Sequence, residues 1–101
     1  MDVYEALAEP HRRRIVELVG EKERTVGEIV EALNISQPGA SKHLKVLRDA
    51  GLVRARKDAQ RRLYQLSPEK LAEVDAWLEP YRAYWSGRLD ALERHLEANP
   101  E

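Results

Sequence analysis

Residues 37–50 read QPGASKHLKVLRDA and are entered through Ser36. The pattern predicts a helix over Gln37–Ala50. Ser36 is a favourable N-cap, because its hydroxyl accepts from a free N–H of the first turn. Pro38 fits that turn, where its missing N–H costs nothing, and Gly51 predicts the end of the helix. One buried stripe is expected at spacings of i, i+4 and i+7, from Ala40, Leu44 and Leu47.

The opposite face of this helix carries the side chains that suggest a function. At about 100° per residue, the outward positions are Pro38, Lys42, Lys45, Val46 and Asp49. Ser41 and Arg48 flank them on one side and His43 on the other. Short polar side chains and lysines near a helix N-terminus suit the base edges and phosphates of DNA. The alternative is an ordinary solvated helix face. The elements on either side of this helix distinguish the two interpretations.

The preceding residues predict a helix-turn-helix. Thr25–Glu28 is a capping box for a helix whose core face holds Val26, Ile29, Val30 and Leu33. Asn34-Ile35 predicts a tight turn into the next helix. Two earlier helices are expected, one over Asp2–Ala8 and one from Pro10 to Gly20. In the second, Arg12, Arg13 and Arg14 either reach phosphate or form a solvated face.

A basic β-hairpin is predicted directly after Gly51. Residues 52–57 and 61–66 alternate between apolar and polar side chains, and Asp58–Gln60 separates them. Its tip and outward positions carry Arg54, Arg56, Lys57, Arg61 and Arg62. A hairpin in this place is the wing of a winged helix, and its arginines are expected to grip phosphate or enter the minor groove.

The net charge of −1 hides a strong segregation along the chain. Residues 36–66 hold eight Lys/Arg against two Asp/Glu, a net +6, between segments of −3 and −4. One basic third in an otherwise acidic chain predicts a localised polyanion-binding surface.

A long last helix is predicted from Ser67-Pro68, which would cap and start it, to about Ala98. Its apolar residues recur at spacings of three and four: Leu71, Val74, Leu78, Tyr81, Trp85, Leu89, Leu92 and Leu96. Pro80 predicts a kink or a break. The domain body is too small to cover this whole seam, which predicts a homodimer. Trp77, Tyr84 and Trp85 suggest packing or, as an alternative, a small-molecule pocket.

Composition limits the other classes of function. The 101 residues predict a single winged helix domain, with 1–66 binding DNA and 67–101 forming a C-terminal dimerisation helix. Cysteine is absent, which excludes disulfides and thiolate sites and fits a cytoplasmic protein. No apolar run approaches the ~20 residues of a membrane span, and no export leader is visible. No nucleophile triad, phosphate loop or carboxylate pair suggests an enzyme.

The chain resembles the ArsR family of bacterial transcriptional regulators along nearly its whole length. The resemblance rests on residues 36–53 (SQPGASKHLKVLRDAGLV), 7–18 (LAEPHRRRIVEL) and 61–66 (RRLYQL). It implies a dimeric winged helix, mostly α with a small β-hairpin, with terminal helices at the interface. It also implies a repressor that binds a palindromic double-stranded DNA operator. Residues 77–81 with Trp85 look like a cysteine-free subgroup of the family.

The resemblance and the helix geometry together predict two sets of site residues. The DNA-binding set is Gln37, Pro38, Ser41, Lys42, His43, Lys45, Arg54, Arg56, Arg61 and Arg62. The dimer-interface set is Val3, Leu78, Tyr81, Trp85, Leu89, Leu92 and Leu96. The alternative function is a winged-helix protein-interaction or dimerisation module without specific DNA binding.

No cofactor or metal is expected. Relatives that sense metals do so through cysteines on the first helix of the helix-turn-helix or through Asp, His and Glu on the last helix. In this chain the first helix of the helix-turn-helix has no cysteine. The last helix has one histidine, His95, and its acidic residues are poorly spaced to join it as metal ligands. His11, His43 and His95 fall in three separate predicted elements. A small-molecule effector stays open as an alternative, although no sequence feature supports one.

Overall fold

The computed structural model describes residues 1–98. Its elements follow in this order: α1 (Val3–Leu7), α2 (Pro10–Glu21), α3 (Val26–Leu33), α4 (Gln37–Asp49), β1 (Val53–Asp58), β2 (Arg61–Leu66) and α5 (Leu71–Ala98). A 3-10 turn, Pro68–Lys70, precedes α5. The predicted fold class, mostly helical with a small antiparallel hairpin, is confirmed.

The local sequence determines where α3 and α4 begin. The Thr25 hydroxyl accepts from the Glu28 N–H at 3.2 Å, and the Glu28 carboxylate accepts from the Thr25 N–H at 3.0 Å, which completes the capping box. Asn34 ends α3 in the left-handed conformation, with φ at 53°. The Ser36 hydroxyl then accepts from the Gly39 N–H at 3.1 Å and begins α4. These caps join the helices by a short turn, as in a helix-turn-helix.

The core lies between α2, α3, α4 and the base of the hairpin. Its largest fully buried side chains are Ile15, Ile29, Leu44, Leu47 and Leu52. Val46 departs from the prediction, because it is half-buried and packs against this core instead of pointing outward. It lies about 180° around the helix from Gln37, at the border between the exposed face and the buried one.

Two arginines hold α1 on α2. The Arg12 guanidinium donates to the carbonyls of Ala6 at 2.7 Å and Glu5 at 3.1 Å, and Arg13 donates to that of Leu7 at 2.8 Å. Carbonyls at the end of a helix have no partner within it. Arg12 and Arg13 therefore cap the end of α1.

The hairpin has a two-residue loop, Ala59–Gln60, where the sequence suggested three residues. Asp58 extends β1 and pairs with Arg61. Lys57 consequently pairs with Arg62, and a three-residue loop would have placed Lys57 opposite Arg61.

A short bridge anchors the base of the wing. The Arg24 N–H donates to the Tyr64 carbonyl at 2.9 Å, and the Tyr64 N–H donates to the Arg24 carbonyl at 2.7 Å. The α2–α3 connection thus pairs with the edge of β2 that β1 leaves open. This pairing fixes the wing against the helical body.

Ala59 adopts the left-handed conformation at the tip of the wing, with φ at 58°. Because a Cβ atom is strained in that region, Ala59→Gly is expected to raise the free energy of unfolding by about 0.5–1 kcal/mol. Urea denaturation measures the change. The matched control is Asn34→Gly, also at positive φ, where asparagine is already tolerated and a smaller gain is expected. Equal gains at both positions would contradict strain at Ala59.

The last helix runs without a break through Pro80, so the predicted break is wrong, and the predicted kink stays a prediction. Proline removes one hydrogen bond to the carbonyl of Ala76, and Ala76 is exposed, so the lost bond does not leave a buried polar group without a partner. The predicted cap is also wrong, because the Ser67 side chain makes no capping hydrogen bond. The 3-10 turn leads into α5 instead.

Only the first part of the apolar seam is covered by the domain. Leu71 and Val74 pack on the core, and the Tyr4 hydroxyl donates to the Glu73 carbonyl at 3.3 Å. From Tyr81 onward the apolar side chains are exposed, with Trp85 at 49% and Leu89 at 65%.

Val3 belongs to the core of the single chain. Only 3% of it is exposed, and it packs in the same cluster as Ile15 and Leu47. The prediction that Val3 lies in a dimer interface is therefore corrected, because a partner cannot cover a side chain that is already buried. Its neighbour Tyr4 is exposed and packs edge-on against Trp77, with 6.0 Å between the two ring centres.

Candidate nucleic-acid interface

The exposed face of α4 presents five of the predicted DNA-binding side chains: Gln37, Pro38, Ser41, Lys42 and Lys45. At 100° per residue they fall within an arc of about 140° around the helix. Arg48 is also exposed and lies in this arc one to two turns further on. The sequence placed Arg48 only on the flank, so it is an additional candidate contact.

The two lysines of this face differ in their surroundings. The Lys45 ammonium lies 3.1 Å from the Asp49 carboxylate, one turn along the helix. Lys42 makes no ion pair within residues 1–98. An exposed cation without a carboxylate partner is immediately available to a phosphate.

His43 does not join this face. Its side chain is 22% exposed and turns toward the start of α2, where the His11 ring centre lies 5.6 Å away. Burial lowers the pKa of His43, although the Glu9 carboxylate at 3.9 Å acts in the opposite direction. The structure therefore separates His43 from the other predicted contacts of α4.

Three predicted wing cations already face carboxylates. Arg56 binds Glu23 through two hydrogen bonds of 2.6 and 3.1 Å, and this pairing raises the pKa of Arg56. Arg61 lies 3.1 Å from Asp58. Arg54 lies 3.9 Å from Glu69. Each of these pairs is exposed, and a phosphate contact would have to replace the existing ion pair.

Lys57 and Arg62 form an exposed cationic pair on the wing. They lie directly opposite each other in the hairpin, on the same face, and neither has an ion-pair partner among the described residues. Like charges opposite each other destabilise a hairpin, so the pair is best satisfied by an external anion. Lys57 was absent from the predicted site set. The sequence had already placed Lys57 among the outward cations of the hairpin, and the two-residue loop adds that it pairs with Arg62.

Glu9, His11 and His43 come together at the junction of α2 and α4. The His11 Nδ1 atom lies 3.2 Å from a Glu9 oxygen. Burial tends to raise the pKa of Glu9, but the Arg12 N–H and both histidines outweigh it, so this pKa lies below its usual value. These histidines lie in different elements and are far apart in the sequence, but the packing of α2 on α4 brings them together.

Neither a ligand cavity nor a membrane span is found in the part of the chain that the structure describes. Residues 1–98 enclose no cavity of ligand size, so the alternative of an aromatic pocket among Trp77, Tyr84 and Trp85 is not formed within one chain. No helix over the same residues is long and apolar enough to cross a bilayer.

A helix-turn-helix with an exposed polar and basic face, followed by a basic hairpin, defines a winged helix-turn-helix DNA-binding protein. Residues 9–55 match the model of the bacterial regulatory proteins of the arsR family. The chain belongs to this family, and it is a DNA-binding transcriptional regulator and not an enzyme.

Individual relatives support the same assignment. The chain is 42% identical over 95 residues to the HTH-type transcriptional regulator Rv2034 of Mycobacterium tuberculosis, covering 94% of this chain and 86% of that protein. It superposes with a TM-score of 0.72 and 40% identity on a crystal structure described as "Possible transcriptional regulator for arsenical resistance", covering 91% of this chain and 93% of that one.

A second similar structure is described as a homodimer. It is the homodimeric winged helix-turn-helix DNA-binding domain (fragment 1–100) of Mb0332 from Mycobacterium bovis. The TM-score is 0.66 at 32% identity, with coverage of 80% of this chain and 75% of that one.

Proposed function

We propose that the chain is a homodimeric repressor that binds a palindromic operator. Helix α4 enters the major groove, and the wing lies on flanking phosphate. The observation that carries the proposal is the combination of an exposed polar arc on α4 with the Lys57–Arg62 pair of the wing.

The side chains on α4 make different contacts with DNA according to their chemistry. Gln37 and Ser41 lie one turn apart on the exposed arc, and their amide and hydroxyl groups hydrogen-bond to base edges. Lys42 and Lys45 neutralise phosphates. Pro38 has no donor, so its contact is restricted to van der Waals packing, for example with a thymine methyl group.

The wing supplies a contact that does not depend on base sequence. Lys57 and Arg62 bind phosphate first, because the side chains of Arg54, Arg56 and Arg61 must leave carboxylate partners. Each such contact releases condensed counterions, which makes binding depend on salt concentration.

The shape of the chain supports dimerisation through α5. Its radius of gyration is 18.5 Å, whereas a compact domain of about 100 residues has one of about 13 Å. The excess comes from the part of α5 that extends beyond the core and carries the exposed seam. We assign to the interface the predicted seam without Val3: Leu78, Tyr81, Trp85, Leu89, Leu92 and Leu96.

Two-fold symmetry follows from pairing one surface with itself. It would present two α4 helices about one DNA turn apart, ~34 Å, and so select a palindrome. The similar domain from M. bovis is described as homodimeric, which supports a dimer. A dimer bound across a promoter excludes polymerase, and an operator-binding protein acts in the cytoplasm, where bacterial DNA lies.

Selection of random duplex DNA on the purified protein, with light scattering on the same sample, tests this proposal. We expect a dimer, of twice the 11.6 kDa chain mass, to enrich a two-fold palindrome. A reporter gene downstream of that palindrome should then be repressed. A dimer that enriches no sequence would contradict the proposal and favour a protein-interaction module.

A further inference from the structure

Glu9, His11 and His43 gather three potential metal ligands on two helices. Glu9 and His11 lie at the start of α2, and His43 lies in the middle of α4. One nitrogen or oxygen atom from each residue lies within 4.8 Å of the other two. No other group of three His, Cys, Asp or Glu side chains among residues 1–98 converges in this way.

The distances approach those of a tetrahedral zinc site. Ligand atoms at 2.0–2.1 Å from zinc in a tetrahedron are about 3.3 Å apart. His11 Nδ1 lies 3.2 Å from Glu9 Oε1, and His43 Nε2 lies 3.9 Å from Glu9 Oε2. The three ligand atoms lie within 4.8 Å of one another, so the longest separation exceeds the tetrahedral value by at most about 1.5 Å, and the side chains would have to close by that much around an ion.

We propose that Glu9, His11 and His43 form a binding site for a divalent transition metal ion, with zinc as the expected occupant. Two imidazoles and one carboxylate are a known zinc ligand set, and a water molecule completes the coordination. This position differs from the two places that metal-sensing relatives use, namely the first helix of the helix-turn-helix and the last helix.

A backbone hydrogen bond orients the Glu9 carboxylate as a metal ligand. Its Oε2 atom accepts the Arg12 backbone N–H at 3.0 Å, which caps α2. That hydrogen bond holds the carboxylate while Oε1 faces His11, as outer hydrogen bonds do for metal ligands generally. The Arg12 guanidinium is directed away to the carbonyls of Ala6 and Glu5.

An ion at this site would join the start of α2 to the DNA-reading helix. His43 directly follows Lys42, which lies on the exposed arc of α4. Metal binding would therefore fix the orientation of α4 against the rest of the domain. The protein would become more stable as the metal concentration rises, because the site exists only in the folded state.

The test uses the full chain without a polyhistidine tag. Isothermal titration with zinc chloride, and the visible absorption of tetrahedral cobalt(II), give the stoichiometry and the geometry. We expect one ion per chain and a rise in Tm with zinc. His11→Gln removes one ligand at an exposed position outside α4. It should weaken zinc binding by at least about 100-fold, since losing only an outer partner of a ligand costs 10–100-fold.

Two further variants separate coordination from a general structural effect. His95→Gln, on α5, is the matched control and should bind zinc like the unmodified chain. His11→Cys replaces the imidazole by a thiolate ligand and should restore binding that His11→Gln loses. Absence of zinc binding by the unmodified chain, or equal binding by His11→Gln, would overturn the proposal.

Discussion

Changing Lys57 and Arg62 together to alanine is expected to weaken operator binding about 1,000-fold at about 0.15 M salt. The double variant removes four cations from a dimer. Each phosphate contact contributes about 0.9 to the slope of log K against log salt, so the slope should fall by about 3.6. Fluorescence anisotropy at several salt concentrations measures both quantities. All DNA sequences should lose affinity alike, because phosphate contacts carry no base information.

The control for this variant is the double change of Arg54 and Arg61 to alanine. It removes the same charge from the other face of the hairpin, where both side chains already face carboxylates. We expect this control to change the slope of log K against log salt by less than half as much as the Lys57/Arg62 double does. An equal effect of the two doubles would show that the wing acts only through net charge. A changed sequence preference in the Lys57/Arg62 double would reassign these side chains to base recognition.

Trp85→Asp is expected to convert the dimer into a monomer. Two-fold symmetry places one new carboxylate from each chain in the apolar seam. Burying two unpaired charges costs at least about 4 kcal/mol, which raises the dimer Kd about 1,000-fold. Light scattering should give the single-chain mass of 11.6 kDa. Circular dichroism should show that the helices remain, since Trp85 lies outside the core.

Ala83→Asp is the matched control for the dimer. Ala83 is exposed and lies on the opposite side of α5, about 160° around the helix from Trp85. The same charge there should leave the dimer intact. If Trp85→Asp remains dimeric, the interface lies elsewhere. If Ala83→Asp also dissociates the dimer, then added charge anywhere on α5 weakens the dimer, and the effect of Trp85→Asp is not specific to the apolar seam.

The sequence predicted the helical body well because its signals are local. Ser36, the Thr25–Glu28 pair and Asn34 each determine a helix end through contacts within four residues, and all three were recognised. The stripe of Ala40, Leu44 and Leu47 is buried as predicted. Helical periodicity reports burial directly wherever one face packs on a core.

The errors lie where the outcome depends on contacts between distant residues. The wing loop was one residue too long, because alternation alone does not show whether Asp58 belongs to the loop or to β1. Val3 has the same apolar character whether its neighbour is the core or a second chain. The contact between His11 and His43 depends on how α2 packs on α4, and spacing along the sequence cannot supply it.

The exposed seam of α5 also has a consequence for how the protein responds to its own abundance. If only the dimer presents both reading helices, the concentration of the active species rises with the square of the chain concentration while monomer predominates. A twofold rise in synthesis would then give a nearly fourfold rise in operator-competent protein. Such a steep dependence produces a threshold in gene control by mass action alone, without any bound ligand.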